Sequence, residues 1–89
     1  MDSKKISECM KRNMKKNNVT AQALAAKTGL SVDRIEEYMS GDFVPKAFEL
    51  ELIAHEISVP LISLIHGGGW IHYYMKDEYG RTVCKWEEY

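Results

Sequence analysis

The sequence predicts a mainly α-helical domain, five short helices followed by a C-terminal β-hairpin. Three observations predict it. Apolar residues recur at helical spacing, as in Leu50, Ile53, Ala54 and Ile57 at i, i+3, i+4 and i+7. Capping residues and glycines alternate along the middle of the chain, Thr20 then Gly29, Ser31 then Gly41. After Gly67-Gly68-Gly69 the pattern changes to aromatic and β-branched residues around a glycine-containing turn. The chain has 89 residues, enough for one small domain, and its 45% apolar content suffices for a single compact core.

The first helix is expected over about residues 3–17. Ile6, Cys9, Met10 and Met14 form its apolar stripe, with lysines opposite. Asn17 and Asn18 end it, because asparagine tolerates the turned backbone of a helix exit. Thr20 then caps a second helix, with Val19 and Leu24 in hydrophobic-staple positions. Its alanines are small enough to let another helix approach closely. Gly29 stands where the chain must turn left-handed. Ser31 caps the third helix, Leu30 and Ile35 form a second staple, and Ile35, Tyr38 and Met39 face inward. Leu30 and Ile35 would each contribute ~1.5–3 kcal/mol if fully enclosed, which decides how the two helices cross.

Gly41 ends the third helix and Pro45 introduces the fourth. The segment "VPLISLI" gives a short fifth helix starting near Pro60. The division expected is a helical domain over residues 1–66 and a glycine hinge with hairpin over 67–89. Strands are predicted near 70–76 ("WIHYYMK") and 81–87. Alternation places Ile71, Tyr73 and Met75 on one face and Trp70, His72 and Tyr74 on the other. With rings on both faces, one face is expected to pack on the helices. The other face, or the strand edge, would meet a second copy through Trp70, Tyr73, Tyr74 and Trp86. The alternative is that all the rings pack within one monomer.

The net charge of −1 hides an uneven distribution. Residues 1–16 carry a net of +4, from Lys4, Lys5, Lys11, Arg12, Lys15 and Lys16 against Asp2 and Glu8. Residues 31–56 carry a net of −5, from Asp33, Glu36, Glu37, Asp42, Glu49, Glu51 and Glu56 against Arg34 and Lys46. Such asymmetry can orient a molecule in a charged partner's field, or can simply solvate two helix faces.

The stretches "TAQALAAKTGLS", "VDRIEEYMSG" and "LELIAHEISVPLISLI", with Pro45 between the last two, resemble the lambda repressor and Cro class of helix-turn-helix domains, the XRE family, over about residues 6–65. The spacing of Leu24, Ala25, Gly29, Leu30 and Ser31, followed by Ile35 and Gly41, carries the likeness. The resemblance implies a lambda-repressor-like fold and a sequence-specific DNA-binding transcriptional regulator of phage or bacterial type, a repressor acting as a homodimer on an operator. It implies that Val32, Asp33, Glu36 and Glu37 face bases. Gln22, Lys27, Arg34, Ser40 and Lys46 would contact the DNA backbone, with Arg12 and Lys16 in support. The sequence departs from the family at Ala21 and Val32, where glutamine is common. Asp33 and Glu36 could accept from cytosine N4, but each carboxylate near phosphate must overcome repulsion. The alternative function is a protein-binding module on the same scaffold, an antirepressor or nuclease inhibitor using the acidic third helix as a nucleic-acid mimic.

Catalysis is not expected. His55, His66 and His72 lack metal-ligand spacing, and neither Cys9 nor Cys84 belongs to a CxxC pair, so neither metal nor cofactor is predicted. The triple glycine lacks the Lys-Ser/Thr of a phosphate-binding loop. Two free thiols in a reducing cytoplasm are the simplest reading, a disulfide from first helix to tail the alternative. No secretory segment or membrane span is predicted, so the expected location is cytoplasmic.

Overall fold

The computed structural model describes residues 2–89. Five helices precede a two-stranded antiparallel hairpin: α1 Ser3–Lys16, α2 Ala21–Thr28, α3 Val32–Ser40, α4 Ala47–Glu56, α5 Leu61–Ile65, β1 Trp70–Lys76 and β2 Thr82–Glu88. No described helix is long and apolar enough to cross a membrane.

Each helix begins and ends for a local reason. The Asp2 carboxylate accepts from the backbone N–H groups of Lys4 and Lys5 and so caps α1. Thr20 accepts from Ala23 N at 3.1 Å, and Ser31 from Arg34 N at 3.1 Å. Gly29 and Gly41 follow α2 and α3 at φ 79° and 84°, where a side chain would be strained. In α4 the cap runs backwards: Glu49, in the first turn, accepts from the Lys46 backbone N at 3.2 Å.

The core is the inner face of all five helices. Ile6, Cys9 and Met10 of α1, Leu24 of α2, Ile35 of α3, Leu50 and Ile53 of α4, Ile57 after it and Leu64 of α5 are essentially sealed from solvent. The helices are also sewn together by hydroxyls and amides. Ser3 donates to Gly41 O at 2.6 Å and Ser7 to Met39 O at 2.8 Å, so α1 satisfies carbonyls left open where α3 ends. Asn17 donates to Ile57 O at 2.8 Å and ties the end of α1 to the end of α4. Asn13, buried within α1, donates to Cys9 O at 2.9 Å and also approaches the Cys9 thiol. Both cysteines are free, Cys9 buried and Cys84 exposed.

The glycine run is packed against its surroundings. A side chain at Gly67 would collide with Lys5, and one at Gly68 with Arg12 and the Tyr89 carbonyl. Gly68 N donates to Ser63 O at 2.6 Å, closing the end of α5. Gly69 and Tyr89 exchange two backbone hydrogen bonds, and Arg12 donates to Tyr89 O at 2.8 Å. The hairpin is therefore held at its base by α1. The run does more than allow rotation.

The hairpin departs from expectation. β1 and β2 pair in register from Trp70↔Glu88 to Lys76↔Thr82. Its turn is well formed: the Asp77 carboxylate accepts from Tyr79 N and Arg81 N, and Gly80 takes φ 78°. Yet neither face packs on the helices. Only Ile71 and Val83 are half-buried; every other strand residue is exposed. The helices fill their own core without any strand residue. The molecule is accordingly elongated, 48 × 25 × 21 Å.

Candidate nucleic-acid interface

The α2–α3 pair presents one side to solvent. The turn of Gly29, Leu30 and Ser31 sets the two helices against each other, and Leu24, Ile35 and Tyr38 anchor them from below. This leaves Asp33, Glu36, Glu37 and Ser40 exposed on α3, and Gln22 and Lys27 exposed on α2. Val32 is half-buried and packs against the core, so its apolar group is only partly free to meet a base. Lys46 is exposed at the start of α4.

Arg34 is not free for phosphate. Its guanidinium reaches across to α4 and donates to both oxygens of Glu49, at 2.5 Å from Nε and 3.2 Å from the second nitrogen. The Tyr38 hydroxyl donates to the same carboxylate at 2.7 Å. Glu49 is fully buried and collects four donors with the Lys46 backbone. Hydrogen bonds from Arg34, more than its charge alone, hold the Glu49 carboxyl down at about 2. Burial and the neighbouring carboxylate push the Tyr38 hydroxyl up, and Glu49 raises Arg34 further. The triad fixes the orientation of α3 on α4. It also removes the positive charge lying within the α3 sequence.

Arg12 and Lys16 are likewise engaged elsewhere. Arg12 donates to Gly67 O and Tyr89 O, and Lys16 reaches Glu88 O at 3.5 Å and lies over the Tyr89 ring. With Asn13, Asn17, Ser58 and Glu87 they line a polar groove of about 510 Å³ beside the hairpin base. Three of the seven residues expected to support backbone contacts thus also bond within the protein. Arg12 and Lys16 nevertheless stay exposed, as do Gln22, Lys27, Ser40 and Lys46.

Sequence reasoning missed a second apolar stripe. Phe43 and Val44 in the α3–α4 loop and Phe48 and Leu52 on α4 are 40–57% exposed. A groove of about 410 Å³ lies beside them, lined by Lys27, Phe48, Glu51, Leu52, His55 and Glu56. The signal was available: residues 48 and 52 are four apart, on the helix face opposite Leu50 and Ile53. No group of three or more His, Cys, Asp or Glu that could hold a metal occurs among the described residues. Comparison with known protein families, with curated proteins and with solved structures yielded no match.

Proposed function

We propose that this chain is a lambda-repressor-like helix-turn-helix regulator that binds double-stranded operator DNA. One observation carries the reading: α3 is locked from below by Ile35 and the Arg34–Glu49–Tyr38 triad, while its outer residues stand clear. A short, rigidly mounted helix following a tight glycine turn is the shape that enters a major groove. Asp33 and Glu36 would accept from cytosine amines, and Lys27 and Lys46 would meet phosphates. With so few free cations near α3 the affinity per protomer should be low and its salt dependence shallow, a log–log slope of roughly −0.9 for each phosphate contact made.

A second reading is favoured by charge. With Arg34 paired to Glu49, the unpaired charges exposed on α3 are those of Asp33, Glu36 and Glu37. A helix face whose outward charges are all carboxylates suits a basic protein partner, with the helix standing in for nucleic acid. Anisotropy titration against a random-sequence duplex pool at rising salt separates the two. Operator binding predicts retained duplexes enriched in a common site, weakened by Lys46→Glu. Absence of any retained duplex at low salt would sink the first reading and leave the second.

A further inference from the structure

We propose that the free edge of β1 pairs with the β1 of a second copy, joining two hairpins into one four-stranded antiparallel sheet. The inference is independent of whether α3 reads DNA.

The hairpin lacks the support that such an element requires. A two-stranded ribbon is marginal in water without a third strand or a helix behind it. Here no helix covers either face, and Trp70, Tyr74 and Trp86 are 60–69% exposed. His72 stacks against Trp86 with ring centroids 4.8 Å apart, which organises one face without burying it.

The backbone fixes what each edge offers. Gly69 and Tyr89 exchange both hydrogen bonds, and Asp77 N donates to Arg81 O at 2.9 Å. Odd-numbered residues of β1 therefore bond inward to β2, and alternation leaves Trp70, His72, Tyr74 and Lys76 with outward N–H and C=O groups. β2 is left with an equivalent outward edge at Thr82, Cys84, Trp86 and Glu88.

Side-chain chemistry separates the two edges. A full-length two-fold pairing of β2 with itself would centre Lys85 on Lys85 of the other copy at a non-hydrogen-bonded position, where Cα atoms come closest, at ~4.5 Å. Like charges directly opposite are destabilising, and charged edge residues discourage association. β2 carries Lys85, Glu87 and Glu88. β1 carries only Lys76, at its far end. Its full-length two-fold pairing centres Tyr73 on Tyr73 and sets His72 opposite Tyr74. Ile71 then meets Met75, and Trp70 meets Lys76. The bonding parity is right: His72 and Tyr74 both direct their peptide groups outward. Every pair is apolar, aromatic, or a cation beside a ring.

The same geometry gives each hairpin tip a place to rest. Antiparallel arms carry Met75 and Lys76 of the second copy to the base of β1. There Ile62, Ser63, His66, Gly68, Trp70 and Ile71 line a groove of about 200 Å³. Ile62, 57% exposed on α5, borders it. Edge pairing covers only part of the exposed Tyr73, Tyr74, Met75 and Ile62, so the contact is held mainly by the backbone ladder and the cross-strand pairs beside it. The contact is isologous, so it closes at two copies.

The test uses the full chain without DNA. Sedimentation should show a dimer for the wild type, and Tyr73→Lys, which sets like charges at the two-fold, should abolish it while the helical circular dichroism stays unchanged. In a Cys84→Ser background with oxidised glutathione, Tyr73→Cys should give a covalent dimer and Lys85→Cys should not. A wild-type chain that stays monomeric at its highest soluble concentration overturns the proposal. So does cross-linking through Lys85→Cys instead of Tyr73→Cys, or a dimer that neither variant traps.

Discussion

The helical body and the hairpin are built from similar proportions of apolar residues and treat them oppositely. In the body, the large apolar side chains at core positions are hidden almost completely, and even a carboxylate is buried once four donors surround it. In the hairpin, rings and Met75 stand in water on both faces. The difference teaches that composition sets how much apolar surface a segment has, whereas topology decides whether anything lies opposite it. Five helices close on one another. The ribbon is anchored at its base, through Gly69, Tyr89, Arg12 and Lys16, and beyond that has nothing of its own to lean on.

That contrast can be broken or sharpened experimentally. The largest effect is expected from Ile53→Ala, which leaves a void beneath α4. Urea denaturation should show a loss of about 3–4 kcal/mol, a large fraction of a small domain's stability. If it cost no more than a hairpin substitution, the body would not be the separate, well-packed unit described. Glu49→Gln should come next, at about 2 kcal/mol, because Arg34 and Tyr38 lose an ionised acceptor but Arg34 can still turn to solvent. This variant also frees a positive charge on α3, so its non-specific affinity for duplex DNA at low salt should rise. A fall would contradict the neutralising role given to Glu49.

Acid provides a third test of the same residue. The folded Glu49 carboxyl lies at about 2, below its ordinary 4.5, so its contribution is fully present above about pH 4.5. That contribution fades as pH falls from there toward about 2. Helical circular dichroism at fixed urea should follow this window in the wild type, and the Glu49→Gln variant should lose the dependence due to this group. Gly68→Ala ranks fourth. A side chain there meets Arg12 and the Tyr89 carbonyl at a φ of 103°, and should detach the arm for roughly 1–2 kcal/mol. Hydrogen exchange should quicken at Gly69 and Tyr89 while α1–α4 amides stay protected. The smallest effect is Tyr74→Ala, under about 0.5 kcal/mol for the monomeric body, since that ring touches none of it.

Much of the fold was legible because its signals are local. Thr20, Ser31, Gly29 and Gly41 announce helix ends within a few residues, and the i, i+3, i+4 spacing of Leu50, Ile53 and Ala54 marks the buried face of α4. The strands were readable for the same reason, from alternation and the Asp77–Gly80 turn. The Arg34–Glu49–Tyr38 triad was not. Its members lie 11 and 15 residues apart, across a loop, and no periodicity links them. Arg34 therefore looked like a free surface cation. The hairpin's isolation was equally invisible, because alternation separates two faces without saying what each one meets. Of the candidate site, the outward α3 residues came from the family resemblance, which also included the half-buried Val32, and the internal bonds of Arg12, Lys16 and Arg34 needed three-dimensional contacts.

The two thiols have a practical consequence. Cys9 is sealed inside α1, its thiol pushed up by burial and covered by Asn13, so it should resist alkylation as long as the helices stay folded. Cys84 lies open on β2. A maleimide dye added to the native chain should therefore settle on the ribbon alone, turning the unmodified protein into a self-reporting probe of whatever that ribbon touches.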